Sequence, residues 1–250
     1  MLLVCAGSGL LRKGIFNARE TGIAALGGIA LVANWFFLFS AYSHSSISVA
    51  TVTYHTQPFM LVTFGTLFFG EKLTMSKLGW LIVAFCGILL IVIGGKQSSP
   101  HQADHLTGIG LALTAAFFYA IAAAITKRLK NIPPQVIVTI QMIVGTLLLM
   151  PFMSLPNTPL SPRTWGLLIT VGFIHTGLMS TLLYGAIQKI SASQIGVLSF
   201  IYPIVAILVD AFAFGRMLSL VQVGGTIAIL AAVAGMNFGW TFLPRYQKSR

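Results

Sequence analysis

The chain has almost no negative charge: Asp and Glu together number four in 250 residues. They are Glu20, Glu71, Asp104 and Asp210. Charged residues of both signs make up 8% of the sequence, where a soluble domain carries about 25%. Such a surface could not be kept in water, so a soluble globular protein is excluded. Cysteine is equally scarce: Cys5 and Cys86 both lie in apolar stretches, which excludes a disulfide framework and a thiolate metal site. Nor does a charged N-terminal region precede an apolar one as in a signal peptide; the opening run Met1–Leu11 comes before Arg12 and Lys13.

The same scarcity restricts chemistry. An intramembrane zinc protease needs His-Glu-x-x-His, and no acidic residue lies near a mid-span histidine. A metal-dependent headgroup transferase needs clustered aspartates. A serine protease could pair His175 with Ser199 on paper, yet nothing supplies the sharp nucleophile turn or an oxyanion hole. An enzyme is therefore not expected, and no metal or other cofactor is indicated. The excess of Lys and Arg gives a net charge of +11. Because these residues sit between apolar runs instead of on one face, they do not form a nucleic-acid surface.

What the chain has in abundance is apolar length, with 56% hydrophobic residues and a mean hydropathy of +0.91. A bilayer core of ~30 Å needs about 20 such residues per helix. Spans are expected at 22–43, 48–69, 78–95, 107–126, 136–153, 165–187, 194–214 and 220–242, with Met1–Leu11 as a further half-span. The Lys/Arg distribution orients them: twelve of the fifteen fall in one set of loops and three, Lys96, Arg163 and Arg216, in the other. The positive-inside rule puts the first set and the C-terminus in the cytoplasm.

The chain also repeats itself. Shifted by 145 residues without a gap, positions 21–95 overlie 166–240 with fourteen of 75 identical. Punctuating residues dominate the matches: Gly27/Gly172, Pro58/Pro203, Phe69-Gly70/Phe214-Gly215, Gly79/Gly224 and Gly94/Gly239. Phe69–Thr74 is expected on the cytoplasmic side and its copy Phe214–Ser219 on the other, so the copies have opposite topology, which an odd number of helices per unit requires. The expected organisation is a first repeat at 1–95, a periplasmic linker at 96–106, a second repeat at 107–242 and a basic cytoplasmic tail at 243–250. The two opening spans of the second repeat have no complete counterpart in the first. By the same shift, about 40 residues would precede Met1 in a full plan.

These residues resemble the drug/metabolite transporter superfamily, in particular its EamA-type members. The likeness rests on Asn34-Trp35 and Ala41, Ser46-Ile47-Ser48-Val49-Ala50, Gln57-Pro58, Phe69-Gly70-Glu71-Lys72-Leu73, Gly79 and Gly87. A weaker second copy shows at Ala186, Ser191-Ala192-Ser193, Tyr202-Pro203, Gly215, Leu218 and Gly224. Arg216 stands where the family pattern often has Glu, and the first helix, which helps line the family's cavity, is missing. The resemblance implies an all-α integral membrane protein of two inverted-topology repeats of five helices. It further implies a transporter in a bacterial inner membrane, monomeric when full length.

Transporters built from inverted repeats bind cargo near the midplane between the repeats. Polar residues expected mid-span are therefore candidate substrate contacts: Asn34, Trp35, Tyr54, His55, Gln57, Tyr119, His175, Thr176, Ser199 and Tyr202. Each has an alternative as packing or interhelical glue. Pro58 and Pro203 remove a backbone hydrogen bond in repeat-related helices and are candidate hinges. Asp210 is the carboxylate inside a span and a candidate coupling group, or else a solvated helix-end residue. With no Lys or Arg at depth, a phosphorylated cargo would lack counter-charges. A neutral or zwitterionic small molecule, such as an amino acid, is expected as substrate, with export as its direction. The alternative is a non-transporting membrane subunit or an inactive truncated paralogue.

Overall fold

Ten helices account for nearly all of the described residues in the computed structural model, which are 17–45, 47–94, 105–152, 161–214 and 219–241. They are α1 (Ala18–His44), α2 (Ile47–Tyr54), α3 (Gln57–Phe69), α4 (Met75–Gly94), α5 (His105–Arg128) and α6 (Pro134–Leu149). Then follow α7 (Pro162–Lys189), α8 (Ala192–Ser199), α9 (Ile201–Phe214) and α10 (Leu220–Phe238). Among the described residues there is no strand. Six of the helices, α1, α4, α5, α6, α7 and α10, are long and apolar enough to cross a membrane. Each falls on one of the expected spans, with α4, α6 and α10 ending one to four residues earlier than expected. The expected half-span Met1–Leu11, residues 96–104 of the linker and the tail 243–250 lie outside the described residues.

The remaining two expected spans, 48–69 and 194–214, are each divided into two helices, and proline chemistry says where. The first ends at Tyr54 and the second at Ser199, each four residues before Pro58 or Pro203. These are the residues whose carbonyls lose their usual partner, because proline has no N–H to offer. At the first break the His55 N–H is shared between the carbonyls of Thr51 (3.0 Å) and Val52 (3.1 Å), and Thr56 N–H tightens onto Thr53 (3.1 Å). At the second, Phe200 N–H bonds the Val197 carbonyl at 3.2 Å. The sequence reading expected kinks here; the helices stop and restart.

Helix ends follow local chemistry elsewhere too. Ser191 and Ser219 cap α8 and α10, each in a reciprocal capping box with Gln194 or Gln222. Ser161 accepts from Thr164 N–H at 3.2 Å at the start of α7. Gly70 (φ 65°) and Gly239 (φ 69°) close α3 and α10 in the left-handed region, where a side chain would clash. Within the spans, hydroxyls that could not otherwise be satisfied in lipid fold back onto their own helix. Thr66, Thr126, Thr139 and Thr226 each donate to the carbonyl four residues earlier.

The chain forms two compact units, residues up to Trp35 with 121–190, and residues 36–120 with 191 onward. Each unit draws on both sequence halves. In the second, α4 and α10 pack along their length around Leu81, Ala84, Ile88, Ile91, Ile229, Ala232 and Met236, joined by Val62, Val197, Phe200 and Ile204. The helices approach so closely that a Cβ on Gly225 would stand 2.5 Å from the Gly87 carbonyl oxygen. They run antiparallel: Ser219 Oγ at the start of α10 donates to the Gly94 carbonyl at the end of α4 (3.0 Å). At the other end Ser76 Oγ and Trp80 Nε1 donate to the Trp240 carbonyl (2.7 and 2.9 Å).

In the first unit, Gly27 and Gly28 of α1 let that helix approach α6, where Cβ atoms would meet Gln141 at 2.6 and 3.0 Å. Gln188 Nε2 of α7 donates to the carbonyls of Leu129 (2.8 Å) and Ile132 (2.9 Å), fixing the turn between α5 and α6. Lys127 Nζ donates to the Ile190 carbonyl just past the end of α7 (2.5 Å), the favourable position for a cation at a helix C-terminus.

Candidate substrate site

The break between α2 and α3 gathers four of the sequence-predicted residues. Tyr54 closes α2, His55 lies in the break and Gln57 opens α3. Tyr119, from α5, meets Tyr54 edge-on with ring centroids 6.2 Å apart. Tyr54 stands edge-on to His55 at 6.2 Å, and His55 lies tilted against Phe200 at 6.0 Å. The result is a continuous aromatic row, Tyr119–Tyr54–His55–Phe200, inside the second unit. Phe200 is the residue in the other helix break. It is also the residue that the 145-residue shift superposes on His55.

Two side chains at this break carry unused hydrogen-bonding capacity. His55 is 7% exposed, and its Nδ1 lies 2.8 Å from the Thr51 carbonyl oxygen. A carbonyl only accepts, so Nδ1 carries the proton and Nε2 of the neutral ring presents a lone pair. Gln57 is also 7% exposed, and its Oε1 is buried without a hydrogen-bond partner. A buried amide left unpaired costs about 1–3 kcal/mol, so this orphan at a helix break stands out against the usual pairing of buried polar groups.

Ser199 and Tyr202 flank the second break in the same unit. Ser199 Oγ donates to the Gly196 carbonyl at 2.7 Å, whereas Tyr202 is 64% exposed. Pro58 is fully buried and packs against Gly196, where a Cβ would lie 3.2 Å away; Pro203 is buried as well.

The other four candidates belong to the first unit and do not share one environment. Asn34 on α1 is 1% exposed and Trp35 beside it half-buried. His175 is exposed and Thr176 half-buried. Both lie in a π-helical stretch, Val171–Met179, in the middle of α7. Such widening of a helix often marks functional positions. Asp210 falls within α9, but its side chain is outside the described residues.

Two features escaped the sequence reading. In the first unit Tyr184 OH donates to Gln141 Oε1, leaving Gln141 Nε2 buried and unpaired. Gln141 satisfies the criterion applied to the others, a polar residue in mid-span, and that is the signal that could have found it. The second is Glu71. Its carboxylate accepts from Ala192 N–H at the start of α8, at 2.8 Å (Oε2) and 3.1 Å (Oε1). Among the described residues no cluster of three His, Cys, Asp or Glu could hold a metal ion.

Long apolar helices, with helix pairs broken at repeat-related prolines, define a multi-pass membrane protein. The particular family follows from sequence: residues 1–93 and 106–238 match the EamA-like transporter family, and the chain belongs to it. An uncharacterized transporter of Bacillus subtilis, YxxF, is 32% identical over 209 residues, covering 83% of this chain and 67% of that protein. The pseudopaline exporter CntI of Pseudomonas aeruginosa is 30% identical over 175 residues, covering 70% of this chain and 58% of the exporter. A probable amino-acid metabolite efflux pump of Salmonella typhimurium is 23% identical over 218 residues, covering 82% and 72%. A solved crystal structure has the same fold, with a TM-score of 0.79 at 18% identity, covering 94% of this chain and 84% of that one.

Proposed function

We propose that this protein exports a small neutral or zwitterionic metabolite, an amino acid or a close relative, across a bacterial inner membrane. The observation that carries the reading is the uncharged aromatic and amide row at the helix break, which offers hydrogen bonds and ring faces but no Lys or Arg. A phosphorylated cargo would need buried cations there. The names of two relatives, one a pseudopaline exporter and one a probable amino-acid metabolite efflux pump, support export of an amino-acid-like compound.

In this reading the chain, with repeats at 1–95 and 107–242, works by alternating access as a monomer, with the C-terminus in the cytoplasm. The helix breaks at Pro58 and Pro203 serve as hinges, and the remaining mid-span candidates, Asn34, Trp35, His175, Thr176, Ser199 and Tyr202, are further candidate substrate contacts. The antiparallel pairing of α4 with α10, helices that the 145-residue shift superposes, supports opposite topology of the halves.

Counterflow in proteoliposomes tests it. Vesicles loaded with an unlabelled amino acid should accumulate its labelled form above protein-free vesicles, and Tyr54→Ala should reduce the rate while leaving folded protein. No flux of any amino acid or neutral metabolite, with folding confirmed, would reject the reading in favour of a non-transporting membrane component.

A further inference from the structure

The geometry points to the α2–α3 break as the pole that receives the ammonium end of the cargo: His55 Nε2 and the Gln57 amide oxygen accept its N–H groups, and the rings of Tyr54, Tyr119 and Phe200 wall it in. The inference rests on the transport reading of this site and adds the chemistry by which cargo is recognised.

Polarity is the first argument. The Thr51 carbonyl at 2.8 Å fixes the proton of a neutral His55 on Nδ1, so the other ring nitrogen is an acceptor and not a donor. Gln57 Oε1 is a second acceptor, buried and without a partner. Two unpaired acceptors two residues apart in one break call for a group that carries several hydrogens, and an ammonium carries three.

The second argument is the wall. Tyr119, Tyr54, His55 and Phe200 succeed one another in a row with neighbouring centroids 6.0–6.2 Å apart. Aromatic faces attract a cation within about 6 Å of their centroids and do so more strongly when water is excluded. They offer a carboxylate nothing comparable. Neutral acceptors and ring faces do not offset a full buried positive charge as a carboxylate would, which favours a zwitterion over a bare cation. A zwitterion brings its own counter-charge.

The test is direct binding to the full chain in lipid nanodiscs, measured by isothermal titration with L-phenylalanine, phenethylamine and 3-phenylpropionate. These share one ring and differ in which charged end they keep. Phenylalanine and phenethylamine should bind, and 3-phenylpropionate should bind at least tenfold more weakly. His55→Phe and Gln57→Leu should each weaken phenethylamine about tenfold, the value of one good hydrogen bond. His55→Gln and Gln57→Glu keep an acceptor oxygen near the same place and should retain binding.

Equal affinity for 3-phenylpropionate and phenethylamine would overturn the inference, as would absence of binding by all three probes. So would amine affinity unchanged within twofold in folded His55→Phe and Gln57→Leu. The probe comparison on the unaltered chain needs no variant to fold. Amine binding without counterflow would reject transport and keep the pole; counterflow of cargo lacking an N–H donor, without amine binding, would do the reverse.

Discussion

Replacing Glu71 by Ala tests how much of the second unit depends on one carboxylate. In the structure both its oxygens approach Ala192 N–H, at 2.8 and 3.1 Å, in the first turn of α8. A hydrogen bond to an ionised acceptor is worth about 1.5–3 kcal/mol. The negative charge at a helix N-terminus adds about 0.3–1 kcal/mol. Removing the side chain should therefore cost about 2–4 kcal/mol. For a chain of this size each kcal/mol moves the midpoint by about 2–4 °C, so Glu71→Ala should lower the thermal unfolding midpoint in detergent by about 4–16 °C. Glu71→Gln keeps an acceptor oxygen and loses the charge, and should lose about half as much. Gly65 offers an independent check. A Cβ there would stand 2.6 Å from Ala192 Cβ and 3.3 Å from Glu71 Oε2, so Gly65→Ala strains the same joint and should combine non-additively with Glu71→Ala. A midpoint for Glu71→Ala within 1 °C of the parent (about the precision of such a scan), or equal losses for Ala and Gln, would refute the reasoning.

Other perturbations follow from the same geometry. Gly27→Ala should destabilise by about 1–3 kcal/mol, because its Cβ would meet Gln141 Nε2 at 2.6 Å. Its repeat partner Gly172 has open space around it, and Gly172→Ala should be neutral or stabilising by up to about 1 kcal/mol; thermal melts of the two variants should separate in opposite directions. Tyr184→Phe should cost about 1–3 kcal/mol by stripping the bond from the Gln141 amide. The double variant with Gln141→Leu should recover part of that loss in a double-mutant cycle. Ser219→Ala removes both a cap and the bond to Gly94, and should lower stability by about 1–2 kcal/mol.

Much of this arrangement was legible from sequence because lipid makes strong demands. Every long helix was visible as an apolar run, since a bilayer tolerates little else. The prolines announced the two broken helices, and the polar residues between apolar neighbours announced His55, Gln57, Tyr54 and Tyr119. What sequence could not give was partnership. Phe200 looked like one more apolar residue among many, and only its position beside His55 makes it part of the row. Glu71 sits beside Lys72 in sequence, but its bond to Ala192 joins residues 121 positions apart. Gln141 was overlooked, although its mid-span position in α6 marks it as plainly as that of Gln57 in α3.

The touching of His55 and Phe200 bears on ancestry as much as on binding. Were the two halves separate, identical polypeptides associating as a pair, residues related by the 145-residue shift would have to be the same, and a cargo lying on them would meet two equal ends. Joining the halves in one chain lifts that constraint. One position has become an imidazole and its image a phenyl ring, so the two sides of the contact are chemically unequal. A molecule resting there can be told head from tail, and the two ways of inserting it are no longer the same event.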